Sequence, residues 1–158
     1  MMYICLESKN KKIKLLSGTI IPFFMNGQKD QASGNKYILA VDDDLDIVAL
    51  IEQTLRKHRF KISTFTDPSM ALEYLKENCK DCGLILSDIR MPGINGYEFV
   101  TQVKKINPEV KIILMSAFEI QDKEFHNILP DIKIDGFLRK PFHIQQLNEV
   151  IAEISTRN

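Results

Sequence analysis

The 158-residue sequence is short of several things that would each declare a class of protein. Cysteine appears three times, at Cys5, Cys79 and Cys82. An odd count with no regular spacing gives no disulfide framework, and a reducing, cytoplasmic setting is the default expectation. No apolar run approaches the ~20 residues that span a bilayer, so no membrane segment is expected. Charge of one sign is missing too: 21 Lys and Arg balance 21 Asp and Glu. That balance argues against a surface coated in positive charge for direct nucleic-acid binding. The signs are interspersed and leave no acidic or basic tail. What remains, 44% hydrophobic and 27% charged residues, is ordinary globular composition, enough for one domain with a tail.

The first 35 residues differ from the rest. A basic stretch, Lys9–Lys14, precedes an apolar one, Leu15–Phe24. The pair loosely resembles a signal peptide but lacks a small-x-small cleavage site. The plainer readings are a flexible extension, or a coding start set too early with Met25 as the first residue. Residues 26–35 are polar and contain Gly and Ser, as a linker does. The expected organisation is an extension over 1–35, a domain over 36–155 and a tail over 156–158.

From Lys36 onward two periodicities alternate. Tyr37–Val41 is a short apolar run, expected as a strand. Ile47, Leu50, Ile51 and Leu55 recur at helical spacing up to about Lys57. Phe60, Ile62 and Phe65 alternate as a second strand. Asp67 and Pro68 supply an N-cap and a Pro at the first helical position, and that helix ends near Asn78. Leu84–Ser87 is the third strand. Asn95 and Glu98 are spaced as a capping box, with Phe99, Val103 and Ile106 behind them and Pro108 as the stop. Ile112–Met115 is the fourth strand, and a weak helix is expected over Lys123–Leu129. Gly136–Arg139 is the fifth strand, and Ile144, Leu147, Val150, Ile151 and Ile154 mark the last helix. Five β-α units need crossovers, so the sheet should be parallel with helices on both faces: an α/β, doubly wound (βα)5 architecture.

In open sheets of this kind ligands gather at the carboxyl ends of the strands. There the sequence places Asp42 and Asp43, Asp88, Ser116, and Lys140 followed by Pro141. Clustered carboxylates repel and raise one another's pKa unless a cation intervenes. Hard oxygen ligands suit Mg²⁺ or Mn²⁺. A carboxylate beside such an ion can attack a phosphoryl group and form an acyl phosphate. Ser116 and Lys140 could then meet the new charge, and Lys140 could pair with an Asp while the site is empty. Taken singly, each has a blander reading: Asp44 as a helix N-cap, Ser116 as a turn serine, Lys140 as a solvated charge.

Together these residues resemble the receiver domain of two-component response regulators, over residues 36–155. Ile38–Asp44 is similar to the acidic-pair motif, Leu86–Gly93 to the phosphoacceptor motif, Met115–Ala117 to the hydroxyl position and Leu138–Phe142 to the Lys-Pro motif. The resemblance implies a flavodoxin-like fold with Asp88 as phosphoacceptor. It implies Mg²⁺ held by Asp42, Asp43, Asp88 and the backbone carbonyl of Arg90. Ser116 would bind the phosphoryl group and move with Phe137, the switch aromatic, and the Lys140–Pro141 bond would be cis. The implied donor is a histidine kinase or a phosphotransfer protein. The implied output is a protein target on the face of the fourth helix, fifth strand and fifth helix, with room for a phosphorylation-dependent dimer. On this reading the chain is a single-domain switch with at most slow autodephosphorylation, slowed by Arg90 and Phe118, and not an enzyme in the usual sense.

The stretch from Phe118 to Pro130 departs from the family pattern on the output face. Two other readings stay open. One is a phosphate-independent interaction module. The other is an aspartate-nucleophile phosphatase of the haloacid-dehalogenase type, for which Asp42-x-Asp44 has the spacing but not the following Thr pattern. Cys79 and Cys82 form a C-x-x-C between a helix and a strand, the reverse of the thioredoxin setting, with no second pair for zinc.

Overall fold

The computed structural model describes residues 36–117 and 132–156, together with four two-residue strands within the first 20 residues. Those four form two small antiparallel pairs, Glu7–Ser8 with Lys11–Lys12 and Leu15–Leu16 with Thr19–Ile20. The helix expected over 123–129 and the side chains of Cys5 and Phe118 lie outside the described residues.

The domain is a five-stranded parallel sheet. Its strands are β1 (Tyr37–Val41), β2 (Lys61–Phe65), β3 (Cys82–Asp88), β4 (Lys111–Ser116) and β5 (Gly136–Arg139), in the spatial order β2-β1-β3-β4-β5. Among the described residues four α-helices accompany it: α1 (Leu45–Lys57), α2 (Pro68–Asn78), α3 (Gly96–Ile106) and α4 (Ile144–Thr156). The order reverses direction at β1, which makes the carboxyl ends of β1 and β3 the switch point of the sheet.

Helices α1, α2 and α3 each start where a short polar side chain takes up an orphan amide. Asp44 accepts from the Asp46 amide at 2.9 Å and Asp67 from the Ser69 amide at 2.7 Å. Asn95 accepts from the Glu98 amide at 3.0 Å. The α3 helix closes at Asn107, immediately before Pro108.

Strand side chains alternate between faces with a period of two, and two apolar layers result. Leu39, Val41, Ile85, Ile112 and Leu114 pack with Leu72 and Leu75 of α2 and Phe99 and Val103 of α3. Ile38, Ala40, Leu84, Leu86, Ile113 and Met115 pack with Ile51 and Leu55 of α1 and Leu147 and Ile151 of α4. All seven residues of β3 are buried, as expected of a central parallel strand covered on both faces. This strand begins two residues before the apolar run suggests. Tyr37 pairs with Cys82 and Ile38 with Leu84, so Gly83 is an extra residue in a bulge. The apolar pattern resumes only after it.

Candidate functional site

Three carboxylates meet at the switch point. Asp42 and Asp43 follow β1 and Asp88 ends β3, and one oxygen from each lies within 4.8 Å of the others. Asp42 is fully buried and Asp88 is 5% exposed, whereas Asp43 faces solvent. Lys140, just past β5, reaches back between the two buried acids. Its Nζ is 2.6 Å from Asp42 Oδ2 and 2.7 Å from Asp88 Oδ1. The Lys140–Pro141 peptide bond is cis.

Main-chain amides fix the carboxylates further. The Asp44 amide donates to Asp42 Oδ1 at 3.1 Å, and the Arg90 amide to Asp88 Oδ2 at 2.8 Å. Asp42 Oδ2 has the Lys140 ammonium beside it but off the line of a good hydrogen bond, and is buried with no other donor. Burial pushes the Asp42 carboxyl above the usual carboxylate range, against the pull of Lys140 and the Asp44 amide. Burial alone would lower Lys140. Its close contacts with the Asp42 and Asp88 carboxylates outweigh that and hold the ammonium above the ordinary lysine value.

Ser116 ends β4 at the same sheet edge, 8% exposed, and its carbonyl accepts from the Lys140 amide at 2.7 Å. Phe137 lies in β5, half-buried against the layer under α2 and α3. Arg90 is exposed, two residues past Asp88. Asp42, Asp43, Asp88, Ser116 and Lys140 thus come from the ends of four strands to one edge of the sheet, whereas Phe137 lies within β5. A groove of about 740 Å³ that includes Lys76, Tyr97, Thr101 and Ile106 contains none of them.

Two further residues support the acceptor. A Cβ on Gly96 would stand 2.3 Å from the Asp88 carbonyl oxygen and 2.7 Å from Ile89 Cα. Only a glycine lets the start of α3 dock on the acceptor's main chain, where the Gly96 amide bonds the Ile89 carbonyl at 2.9 Å. Ser87, fully buried, donates its hydroxyl to the same Asp88 carbonyl at 2.9 Å. A sequence signal for Gly96 does exist: glycine is a poor choice for a helix interior, and here it sits directly behind the cap.

The donor set fits a hard divalent cation. Carboxylate oxygens converge, one acid opens to solvent for retained waters, and a buried oxygen lacks a full complement of donors. Among the described residues no helix is long and apolar enough to cross a membrane.

Comparison with known proteins agrees with this geometry. The model of the response regulator receiver domain matches residues 38–152. The Arabidopsis thaliana two-component response regulator ARR14 is 33% identical over 130 residues, covering 81% of this chain and 33% of the relative. The Mycobacterium tuberculosis transcriptional regulatory protein PrrA is 33% identical over 110 residues, covering 70% and 46%. The chain therefore spans less than half the length of these two relatives. A CheY-like response regulator receiver domain from Methanospirillum hungatei superposes with a TM-score of 0.67 at 26% identity, covering 76% of this chain and 93% of its own.

Proposed function

This chain belongs to the response regulator receiver domain family, and on that premise we propose that it is a phosphorylation-driven switch with Asp88 as the acceptor. Receiver domains are phosphoacceptor signalling modules, phosphorylated by histidine kinases, and the acidic triad of Asp42, Asp43 and Asp88 is typical of their Mg²⁺ site. The observation that carries the proposal is the Lys140 ammonium held 2.7 Å from Asp88 and 2.6 Å from Asp42. It marks the acceptor carboxylate as the point where negative charge is meant to accumulate.

Asp43, Asp42, Asp88 and the Arg90 carbonyl would hold the cation, which when bound would supply electrophilic assistance to phosphoryl transfer. The Asp88 carboxylate lies beside the Lys140 ammonium and is oriented by the Arg90 amide, placed to act as a nucleophile. Ser116 would donate to the transferred group and Phe137 would follow it. A histidine kinase or a phosphotransfer protein is the proposed donor, and a protein target the proposed output, through the face of β5 and α4. The switch is a two-state element biased by local charge.

Intact-mass measurement after acetyl phosphate and Mg²⁺ tests this. One phosphoryl adduct is expected on the native chain and none on Asp88→Asn. A native chain that stays unmodified favours a phosphate-independent interaction module.

A further inference from the structure

The acidic pocket leaves unused a second group of chemistry-bearing side chains, at the opposite end of β3. Cys82 is the first residue of that strand and Asp88 its last. Cys79 follows α2 and opens the 3-10 turn Cys79–Asp81, and the Cys82 amide donates to the Cys79 carbonyl. Residues at the two ends of such a hydrogen-bonded turn have Cα atoms less than about 7 Å apart. A disulfide needs Cα atoms roughly 4.4–6.8 Å apart and side chains on a common side.

The bulge at Gly83 supplies the common side. By simple alternation Cys82 would keep step with Leu84 and Leu86 and point toward α1 and α4. The extra residue breaks that count, and Cys82 instead joins Ile85 in the layer under α2 and α3. Cys79 packs against that same layer. Both thiols are free. Asn107 braces the turn, its Nδ2 donating to the Cys79 carbonyl at 2.9 Å and the Cys82 carbonyl at 3.4 Å. The Cys82 sulfur lies 3.8 Å from the Leu84 carbonyl and within hydrogen-bonding reach of the Tyr37 phenol.

We propose that Cys79 and Cys82 form a reversible dithiol–disulfide pair, a modification site that takes a two-electron oxidant of the hydroperoxide class. Cys79 is half-buried and is reached first. Cys82 is 2% exposed and burial pushes its thiol up to about 12, so it stays protonated until the neighbouring sulfur is activated. The Cys79 sulfur attacks the terminal peroxide oxygen, the O–O bond breaks, and an alcohol leaves with the thiol proton. Cys79 is then a sulfenic acid. The Cys82 sulfur attacks it, the S–O bond breaks, and water leaves with the Cys82 proton as the S–S bond forms. The two sulfurs together lose two electrons, and the peroxide is reduced to alcohol and water. None of these steps involves the acidic pocket.

The test uses the full chain carrying Cys5→Ser, treated with tert-butyl hydroperoxide, blocked with N-ethylmaleimide and measured as intact mass. A loss of about 2 Da with no maleimide adduct is expected, reversed by dithiothreitol. With Cys82→Ala added, the reaction stops at the Cys79 sulfenic acid, which dimedone captures. Peptide mapping of the oxidised parent needs no further variant and should return Cys79 linked to Cys82. The proposal is overturned by a sulfinic Cys79 beside a free Cys82, or by disulfide-linked dimers in place of the internal bond. Two intact thiols at a dose that oxidises dithiothreitol in the same tube overturn it as well.

Discussion

The two ends of β3 bury polar groups by opposite means. At the carboxyl end, Asp88 and the neighbouring Asp42 share a half-buried ammonium within 2.7 Å. At the amino end, the Cys82 thiol and the Tyr37 phenol sink into an apolar layer with no ion pair of their own: both are pushed up chiefly by burial, Cys82 to about 12. The difference teaches that burial suppresses ionisation at either end, and that an ion persists in this core where an opposite charge has been supplied. The sheet is the same; the partner decides the chemistry.

Removing the partner is the most direct way to break the comparison. Lys140→Met leaves Asp42 buried with its remaining amide bond alone, and should lower stability by about 3–5 kcal/mol in urea-midpoint measurements. Lys140 is 17% exposed and Asp42 1%, so solvent screening does not soften that cost. A pairing that matters should also show as partial recovery in the double variant Lys140→Met with Asp42→Asn.

A smaller effect is expected at Gly96. An alanine there must push the Asp88 main chain, at a cost of about 1–3 kcal/mol. Gly93 is the control in the same loop: its φ is +78° but nothing lies within 4 Å of an added Cβ. Gly93→Ala should cost backbone strain of about 1 kcal/mol and leave acceptor phosphorylation close to native, while Gly96→Ala slows it. Equal rates in both variants would erase the distinction.

The smallest effect is in pH dependence. The folded state raises the Asp42 pKa above 3.8, so between the unfolded and folded values it holds more protons than the unfolded chain. Stability contributed by Asp42 therefore falls as pH rises through that window and stays lower above it. Asp42→Asn should remove this slope. Lys140 has the complementary sign: its contribution is present below 10.5 and is lost as pH rises through its raised folded value. Urea midpoints from acid to alkaline pH, for both chains, separate the two.

Most of the fold is legible in the sequence, because a parallel strand covered on both faces can only be an apolar run. Ile112–Met115 and Tyr37–Val41 announce themselves that way, and Asp44, Asp67 and Asn95 announce their helices by capping chemistry. The site is legible for a related reason: charged residues at the ends of such runs have no packing role. What stays hidden depends on distances between segments far apart in sequence. Lys140 reaching Asp42 and Asp88 at once is of this kind, whereas Gly96 meeting the Asp88 carbonyl and Ser87 bonding the same oxygen are local contacts that no periodicity signals. The early start of β3 is hidden too, since Gly83 interrupts the period just where the strand begins.

The reach of Lys140 into the acids has an electrostatic corollary. Three carboxylates and one ammonium leave a formal excess of two negative charges in a space a few ångströms wide. Sodium or potassium would cancel half of it, and a divalent ion all of it. Selectivity for valence is thus written into the tally of charges before ionic radius or coordination number enters.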